Sequence, residues 1–373
     1  MTSTIDTARA TLEPFDVEHF LYERYHRGGG NRSPLLSVYY TLKPAMPRRL
    51  QLALRRAYAG RQAAREFPAW PIEAVLVDRR EAELRELVRT SGADAVPIVN
   101  YWPRRKRFAC ALTHDVEGTR GLENIERVLE VERRHGFVSS WNFVAESYDI
   151  PDGVFDLLRA GGCEIGIHGI THDGRLFQSR AHFESHLPKI GAYARAWGAE
   201  GFRSPATGRN AEWMHELPVA YDSSFPDSDP FEPQPGGCCS IFPFSFGDVI
   251  ELPITLLQDH TLFEILRERS IDQWVRKSEW IATHHGLVCL ITHPDYLADP
   301  ELLDLYEAFL VYLRGQDDCW HALPCEVASW WRARAPLRCE LTEHGPRISG
   351  GDEQRATVAW ATLGDEGQLT LTT

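Results

Sequence analysis

Several polar clusters in this sequence contain residue types that bind metals or transfer protons. The first is Thr-His-Asp-Val-Glu at residues 113–117, which directly follows an apolar run. If the backbone stays extended there, Asp115 and Glu117 point the same way, so one carboxylate could bind a metal and the other accept a proton. The alternative is a solvated loop or a helix N-cap, where aspartate is common.

A pair of histidines, His168 and His172, follows a second apolar run at residues 164–167. Two imidazoles with this spacing can reach one cation. With a carboxylate they make a set of two histidines and one acid that leaves coordination positions open for water and substrate. Two unrelated surface histidines are the alternative, but the position after a strand and after the paired acids favours a metal site.

Three further clusters begin at Arg203, Asp222 and the segment Thr-His-Pro-Asp at 292–295. A buried arginine keeps a neighbouring carboxylate ionised, so Arg203 could serve Asp115. Either Asp222 or Asp295 could hold His293 protonated as an acid. An ordinary ion pair for Arg203 and a structural role for His293 are the alternatives.

Apolar runs alternate with amphipathic stretches from residue 107 onward, and this alternation predicts the scaffold that positions the clusters. Repeated βα units imply a parallel sheet, and about seven of them suggest a closed or nearly closed barrel, in which the carboxyl ends of the strands share one face. Strands are expected near 108–113, 138–144, 164–167, 201–203, 219–222, 249–254 and 287–292, and helices near 122–135, 151–160, 179–197, within 260–285 and at 301–314.

The two ends of the chain depart from this alternation, so we predict three regions. Residues 1–105 show no clear alternation of strands and helices, and they include a basic helix that begins at Pro47. We interpret them as a mostly helical N-terminal appendage. This basic helix could contact an anionic membrane surface, although packing on the barrel is favoured. The barrel spans 106–335, and residues 336–373 alternate apolar with polar residues, which predicts a small antiparallel β extension.

The composition excludes several functional classes. The 373 residues include 40 Lys+Arg and 53 Asp+Glu, for a net charge of −13, so binding to nucleic acid, which requires a basic face, is not expected. No run approaches the roughly 20 apolar residues of a membrane-spanning helix. The first residues do not resemble a signal peptide and the eight cysteines form no C-x-x-C pair, so we expect a cytoplasmic protein with reduced thiols. The sequence gives no indication of the oligomeric state.

The order of these five clusters resembles that of the polysaccharide deacetylases, the NodB-homology enzymes of carbohydrate esterase family 4. That family carries a T-F-D-D type motif, then H-[ST]-x-x-H, R-x-P-x-G, a fourth motif with an aspartate, and L-x-H. The resemblance covers roughly residues 107–330. It implies an α/β fold, a distorted (β/α)7 barrel, and metal-dependent hydrolysis of N-acetyl or O-acetyl groups on glycans.

The resemblance also implies a metal site. Asp115 would be the base, and Glu117, His168 and His172 would bind one divalent metal ion. Zinc suits two imidazoles and a carboxylate, and cobalt, nickel or iron are alternatives.

For the remaining motifs, the resemblance implies that Arg203 holds Asp115 and that the backbone N–H of Ala206 helps to stabilise the oxyanion. His293 would protonate the leaving amine, and Asp222 would orient His293.

The sequence departs from the family motifs at several positions, among them Ala206, where an aromatic residue often follows the proline, and Phe225, where a tryptophan is common. Glu117 is one methylene longer than the usual aspartate, Gly169 replaces a small hydroxyl residue, and Gly208 comes one residue late in the third motif. Because all the groups that the chemistry needs are still present, these departures suggest an unusual substrate more than an inactive site.

We therefore expect an enzyme that removes acetyl groups, most readily N-acetyl groups, from a glycan or glycan precursor in exopolysaccharide or cell-envelope synthesis. Its partner would be the acetylated sugar or glycan itself. One alternative is a hydrolase of cyclic imides or ureides on the same barrel. The other is a non-catalytic glycan-binding module in which Glu117 prevents metal binding.

Overall fold

A computed structural model describes residues 15–26 and 46–373 of the chain. Its strands are short and most of them are buried. They are β1 (Ala95–Val99), β2 (Phe108–Val116), β3 (Ser140–Phe143), β4 (Glu164–Ile167), β5 (Gly201–Phe202), β6 (Tyr221–Asp222), β7 (Phe244–Phe246), β8 (Val249–Glu251), β9 (Leu287–Thr292), β10 (Cys319–His321), β11 (Arg338–Thr342), β12 (Gly345–Ser349), β13 (Val358–Leu363) and β14 (Leu369–Thr372).

The α-helices connect these strands or precede them. They are α1 (Val17–Leu21), α2 (Arg48–Ala63), α3 (Val75–Ser91), α4 (Thr119–His135), α5 (Val154–Ala160), α6 (Arg180–Trp197), α7 (Asp272–Thr283), α8 (Pro294–Leu297), α9 (Pro300–Arg314) and α10 (Pro324–Arg334). No helix in the ranges 15–26 and 46–373 is both long enough and apolar enough to span a bilayer.

Seven parallel strands form a curved sheet in the order β9, β2, β3, β4, β5, β6, β8. The opening between β8 and β9 is bridged by Thr255, whose backbone N–H donates to the Cys289 carbonyl at 3.1 Å and whose hydroxyl accepts from the Cys289 N–H at 2.8 Å. Strand β10 lies parallel to the start of β2, and β7 lies antiparallel to β8. The predicted fold class, a distorted and nearly closed barrel, is confirmed.

The residues just before the barrel and those near the C-terminus form separate antiparallel sheets. Strand β1 pairs with β13, which pairs with β14, while β11 and β12 form a hairpin. The described part of the predicted N-terminal appendage is mostly helical, and residues 1–14 and 27–45 of it lie outside the described residues. The C-terminal β extension is present, but β1 was not expected. Its run Ala-Val-Pro-Ile-Val contains a proline, which is disfavoured inside a sheet, and its partner lies near the other end of the chain. The boundaries of the three regions stay a prediction.

The basic helix α2 packs on the barrel. Arg56 Nε donates to the Glu264 carbonyl at 2.9 Å, and Gln62 Nε2 donates to the Pro230 carbonyl at 2.8 Å. These carbonyls belong to connections at the mouth of the barrel, so α2 lies beside that mouth.

Side chains alternate along β2 between the barrel interior and the surrounding helices. Thr113 and Asp115 point inward, whereas His114 points outward and its Nε2 donates to Glu132 Oε1 of α4 at 2.8 Å. The Tyr306 hydroxyl of α9 donates to the same carboxylate at 2.6 Å. These outward residues are fully buried, so a charge-assisted hydrogen-bond network joins β2 to the two helices outside it.

Loss of this network should destabilise the fold measurably. We expect Tyr306→Phe to lower the free energy of unfolding by about 2 kcal/mol, because a buried hydrogen bond to a charged group is lost. The matched control is Tyr312→Phe on the same helix, at a partly exposed side chain, for which we expect a change within about 0.5 kcal/mol. Urea unfolding followed by fluorescence measures both, and equal effects would contradict this role for Tyr306.

Candidate active site

A pocket of about 250 Å³ opens where the carboxyl ends of the barrel strands meet. The predicted residues that line it come from four separate clusters of the sequence, at or just beyond the ends of different strands. They are Asp115, Glu117, His168, His172, Ala206 and His293.

Three of these residues form a set that can hold a metal ion. The ligand atoms of Glu117, His168 and His172 lie within 4.8 Å of one another. Glu117 Oε1 is 3.0 Å from His172 Nε2 and 4.0 Å from His168 Nε2. The longer side chain at residue 117 therefore still reaches both imidazoles.

His168 is prepared as a ligand by its surroundings. Its Nδ1 donates to the Arg203 carbonyl at 3.1 Å, while its buried Nε2 has no hydrogen-bond partner among the described residues. Burial lowers the pKa of His168 to about 4, so the imidazole is neutral at pH 7. A neutral imidazole with a lone pair directed at a carboxylate and a second histidine fits a divalent cation.

Asp295 of the fifth cluster fixes the backbone of Glu117. Asp295 accepts hydrogen bonds from the N–H groups of Glu117 at 3.2 Å and Gly121 at 3.0 Å. A Cβ at Gly121 would overlap the Asp295 carboxylate, so glycine is required there. Asp295, one of the two partners considered for His293, thus holds the backbone of Glu117 instead.

Asp115 lies at the base of the pocket in a buried ion pair. Arg203 Nη1 and Asn142 Nδ2 both donate to Asp115 Oδ1, at 3.1 and 2.9 Å. Burial raises the pKa of Asp115, but the positive charge of Arg203, with contributions from His293 and the Asn142 hydrogen bond, outweighs this effect and lowers the pKa. Arg203 is itself fixed by Ser223, whose carbonyl and hydroxyl oxygens accept at 2.7 and 2.9 Å.

His293 is held by a residue that the sequence analysis missed. Its Nδ1 donates to Asp259 Oδ1 at 2.6 Å, and its backbone N–H donates to Asp259 Oδ2 at 2.8 Å. Its Nε2 is 3.5 Å from Glu117 Oε1. Burial lowers the pKa of His293, but the charges of Asp259 and Glu117 outweigh it and raise the pKa to about 10.

The prediction that Asp222 orients His293 is wrong. Asp222 ends β6 and pairs in register with Glu251 of β8. Its two carboxylate oxygens accept from the N–H and the hydroxyl of Ser224, at 3.0 and 2.9 Å. A sequence signal for Asp259 did exist, because the polar stretch Gln-Asp-His at 258–260 follows the apolar run that extends β8, as the other clusters follow theirs.

The third motif forms an unusual turn. Ala206 and Thr207 both have left-handed backbone conformations, with φ of 54° and 47°. Gly169 of the second motif lies against this turn with φ of 71°, and a Cβ there would come within 2.8 Å of Pro205. Glycine at residue 169 is thus favoured both by its left-handed conformation and by the close approach of Pro205.

Helix α2 contributes one wall of the pocket through Gln51, Leu52 and Arg55. Arg55 donates to the Phe231 carbonyl at 3.4 Å, and the neighbouring Glu232 lines the pocket as well. The sequence analysis did not assign these residues to the site, because they lie far from the motifs along the chain.

No family model and no curated protein matches this sequence. Among solved structures, a protein described as a polysaccharide deacetylase from Mycobacterium smegmatis is 19% identical, with 62% of this chain and 93% of that chain covered and a TM-score of 0.52. A probable polysaccharide deacetylase from Pseudomonas aeruginosa PAO1 is 15% identical, with coverage of 63% and 94% and a TM-score of 0.52. Puue allantoinase is 14% identical, with the same coverage and a TM-score of 0.51. The predicted resemblance is confirmed at the level of the fold.

The ligand set can be tested by metal binding alone. We expect His168→Ala and His172→Ala each to weaken zinc binding by about 100-fold or more, because even residues that only support a ligand contribute 10- to 100-fold. Titration of metal-free protein against a chromophoric chelator measures the affinity. His215→Ala, at an exposed histidine away from these ligands, should bind zinc normally, and unchanged affinity in the His168→Ala, His172→Ala double variant would refute the set.

Proposed function

We propose that this chain, which shares its fold with polysaccharide deacetylases, is a metal-dependent hydrolase that removes acetyl groups from a glycan or glycan precursor. One observation carries the proposal: the buried His168 Nε2, which has no hydrogen-bond partner within 15–26 and 46–373, faces Glu117 and His172 in a pocket that also contains Asp115 and His293. A cation held by these three residues would lie beside the carboxylate proposed as base and the imidazole proposed as acid, which supports the proposal.

Glu117, His168 and His172 would hold the cation. Two nitrogen donors and one carboxylate suit zinc, and also cobalt, nickel or iron. When bound, the cation polarises an acyl oxygen and lowers the pKa of a water molecule toward about 7.

Asp115 would accept the proton of the attacking water. Arg203 and Asn142 both donate to Oδ1, which leaves Oδ2 as the oxygen available for the proton. The lowered pKa keeps Asp115 ionised at neutral pH, so the base is ready before the substrate binds.

His293 would donate the proton to the leaving nitrogen. Asp259 accepts from Nδ1, so the second proton of the imidazolium lies on Nε2, on the side of Glu117. An amide nitrogen must be protonated to leave, which makes such an acid necessary. The backbone N–H of Ala206 would stabilise the oxyanion, a contribution of roughly 3 to 4 kcal/mol for one such donor in other enzymes.

The pocket walls support a sugar as the substrate. Gln51, Arg55, Glu232 and Gln258 line the pocket and offer donors and acceptors for hydroxyl groups. An N-acetylated sugar or glycan precursor in exopolysaccharide or cell-envelope synthesis is the substrate that we propose. All eight cysteines are free thiols, and a cytoplasmic location stays a prediction that cell fractionation would test.

A cyclic ureide or imide is the second candidate substrate, favoured by the shared fold with an allantoinase. The two candidate substrates are distinguished by incubating the zinc-loaded full chain with N-acetylated oligosaccharides in one assay and with allantoin in another. We expect acetate release that a chelator abolishes and zinc restores. Ring opening without acetate release would contradict the proposal, and neither reaction in zinc-loaded protein would favour the glycan-binding alternative.

Replacing the base should separate catalysis from metal binding. We expect Asp115→Asn to keep its zinc but to lose about 100-fold or more in kcat, because the amide cannot accept the proton of the water. The exposed Asp152→Asn serves as control and should behave as the unmodified protein. Near-normal turnover by Asp115→Asn would assign the base to another group, with Glu117 the nearest candidate.

Replacing the acid should affect amides more than activated esters, because a nitrophenolate leaves without protonation. We expect His293→Gln to lose at least about tenfold more rate on an N-acetyl sugar than on 4-nitrophenyl acetate, with zinc content unchanged. Asp259→Asn should show the same selectivity in weaker form. The control is His260→Gln, at a histidine that also lines the pocket, and any loss there should be equal on both substrates. Equal losses in His293→Gln would argue against its role as acid.

A further inference from the structure

We propose that the segment at residues 15–26 completes the active site, because Glu23 positions, through Arg209, the turn that carries Ala206. The inference rests on the proposed function, which gives the Ala206 N–H its role. Glu23 would then be a positioning residue, since it touches neither substrate nor metal.

Glu23 and Arg209 form a buried bidentate ion pair. Arg209 Nη2 donates to Glu23 Oε1 at 2.5 Å, and Nε donates to Oε2 at 2.8 Å. The exposed fractions of the two side chains are 6% for Glu23 and 0% for Arg209. Removing one partner of such a pair leaves an uncompensated buried charge, so Glu23 and Arg209 depend on each other for their positions.

Arg209, fixed by Glu23, donates hydrogen bonds to the turn of the third motif. Its Nη1 donates to the Thr207 carbonyl at 3.0 Å and to the Gln234 carbonyl at 3.0 Å. Thr207 and the preceding Ala206 have left-handed backbone conformations, which are unfavourable for residues with a Cβ. Such a turn is stable only where surrounding groups fix its conformation. Here the Arg209 guanidinium does so through its hydrogen bond to the Thr207 carbonyl.

The segment is anchored on the barrel independently of Glu23. The Tyr25 hydroxyl donates to the Gly237 carbonyl at 2.6 Å and accepts from the Gly237 N–H at 2.9 Å. Gly236 has φ of 130°, and a Cβ there would overlap His26 Nε2. Because Tyr25 and the glycine pair provide the docking contact, a change at Glu23 alone should leave the segment in place.

The test compares Glu23→Gln with Glu18→Gln in the full chain. Glu18 lies in the same segment but is exposed and paired with Arg24 at the surface. One oxyanion donor contributes about 10²- to 10³-fold in kcat, so a displaced one should cost about tenfold. We expect Glu23→Gln to lose about tenfold in kcat on an N-acetyl sugar, with KM and bound zinc unchanged, and Glu18→Gln to match the unmodified protein.

A second substitution distinguishes positioning of the turn from general stability. Glycine adopts left-handed conformations readily. Thr207→Gly should therefore let the turn keep its conformation even when the hydrogen bond from Arg209 is weakened. We expect Thr207→Gly to restore most of the kcat that Glu23→Gln loses. A general loss of stability is measured separately by urea unfolding of the same variants, because glycine at a left-handed position can also stabilise the fold as a whole.

Three results would overturn the inference while leaving the proposed function intact. They are a normal kcat in Glu23→Gln, a loss of kcat that Thr207→Gly does not recover, and a loss that parallels loss of bound zinc. Failure of the unmodified, zinc-loaded protein to release acetate is a different result: it would refute the proposed function, and the inference with it.

Discussion

The site depends above all on the buried Arg203 guanidinium. It donates to Asp115 and Thr113 on β2 and to Ser223 just beyond β6, while the Arg203 carbonyl accepts from His168 Nδ1. One residue therefore fixes both the proposed base and the orientation of one proposed metal ligand. A buried guanidinium is unfavourable by several kcal/mol unless it is paired and fully hydrogen-bonded, so the strand ends around it have little freedom to shift.

The site draws on both the barrel and the N-terminal residues. The strand ends supply the groups proposed to react with substrate, whereas α2 supplies a wall of the pocket and Glu23 pairs with Arg209 beside it. Because the proposed reacting groups lie in the motifs and the residues of the wall do not, the motifs indicate the reaction more closely than they indicate the substrate. The residues that would contact the rest of a glycan, such as Gln51 and Arg55, lie outside the motifs.

Sequence reasoning succeeded where a cluster directly follows an apolar run, because strand ends of a parallel sheet converge on one face. Asp115 and His168 come together in the structure for this reason. It failed where long-range geometry decides between similar residues: Asp259, not Asp222, reaches His293, and strand β1 was missed because its partner lies near the other end of the chain. The pocket wall from α2 carries no local signal at all.

The measurement that tests the account most directly is anomalous X-ray diffraction from crystals of the full chain grown with zinc, recorded on both sides of the zinc absorption edge. We expect one strong anomalous peak in the pocket, from a zinc ion bound by Glu117, His168 and His172. Absence of a peak there at saturating zinc, or a peak bound by other residues while these three stay unbound, would contradict it.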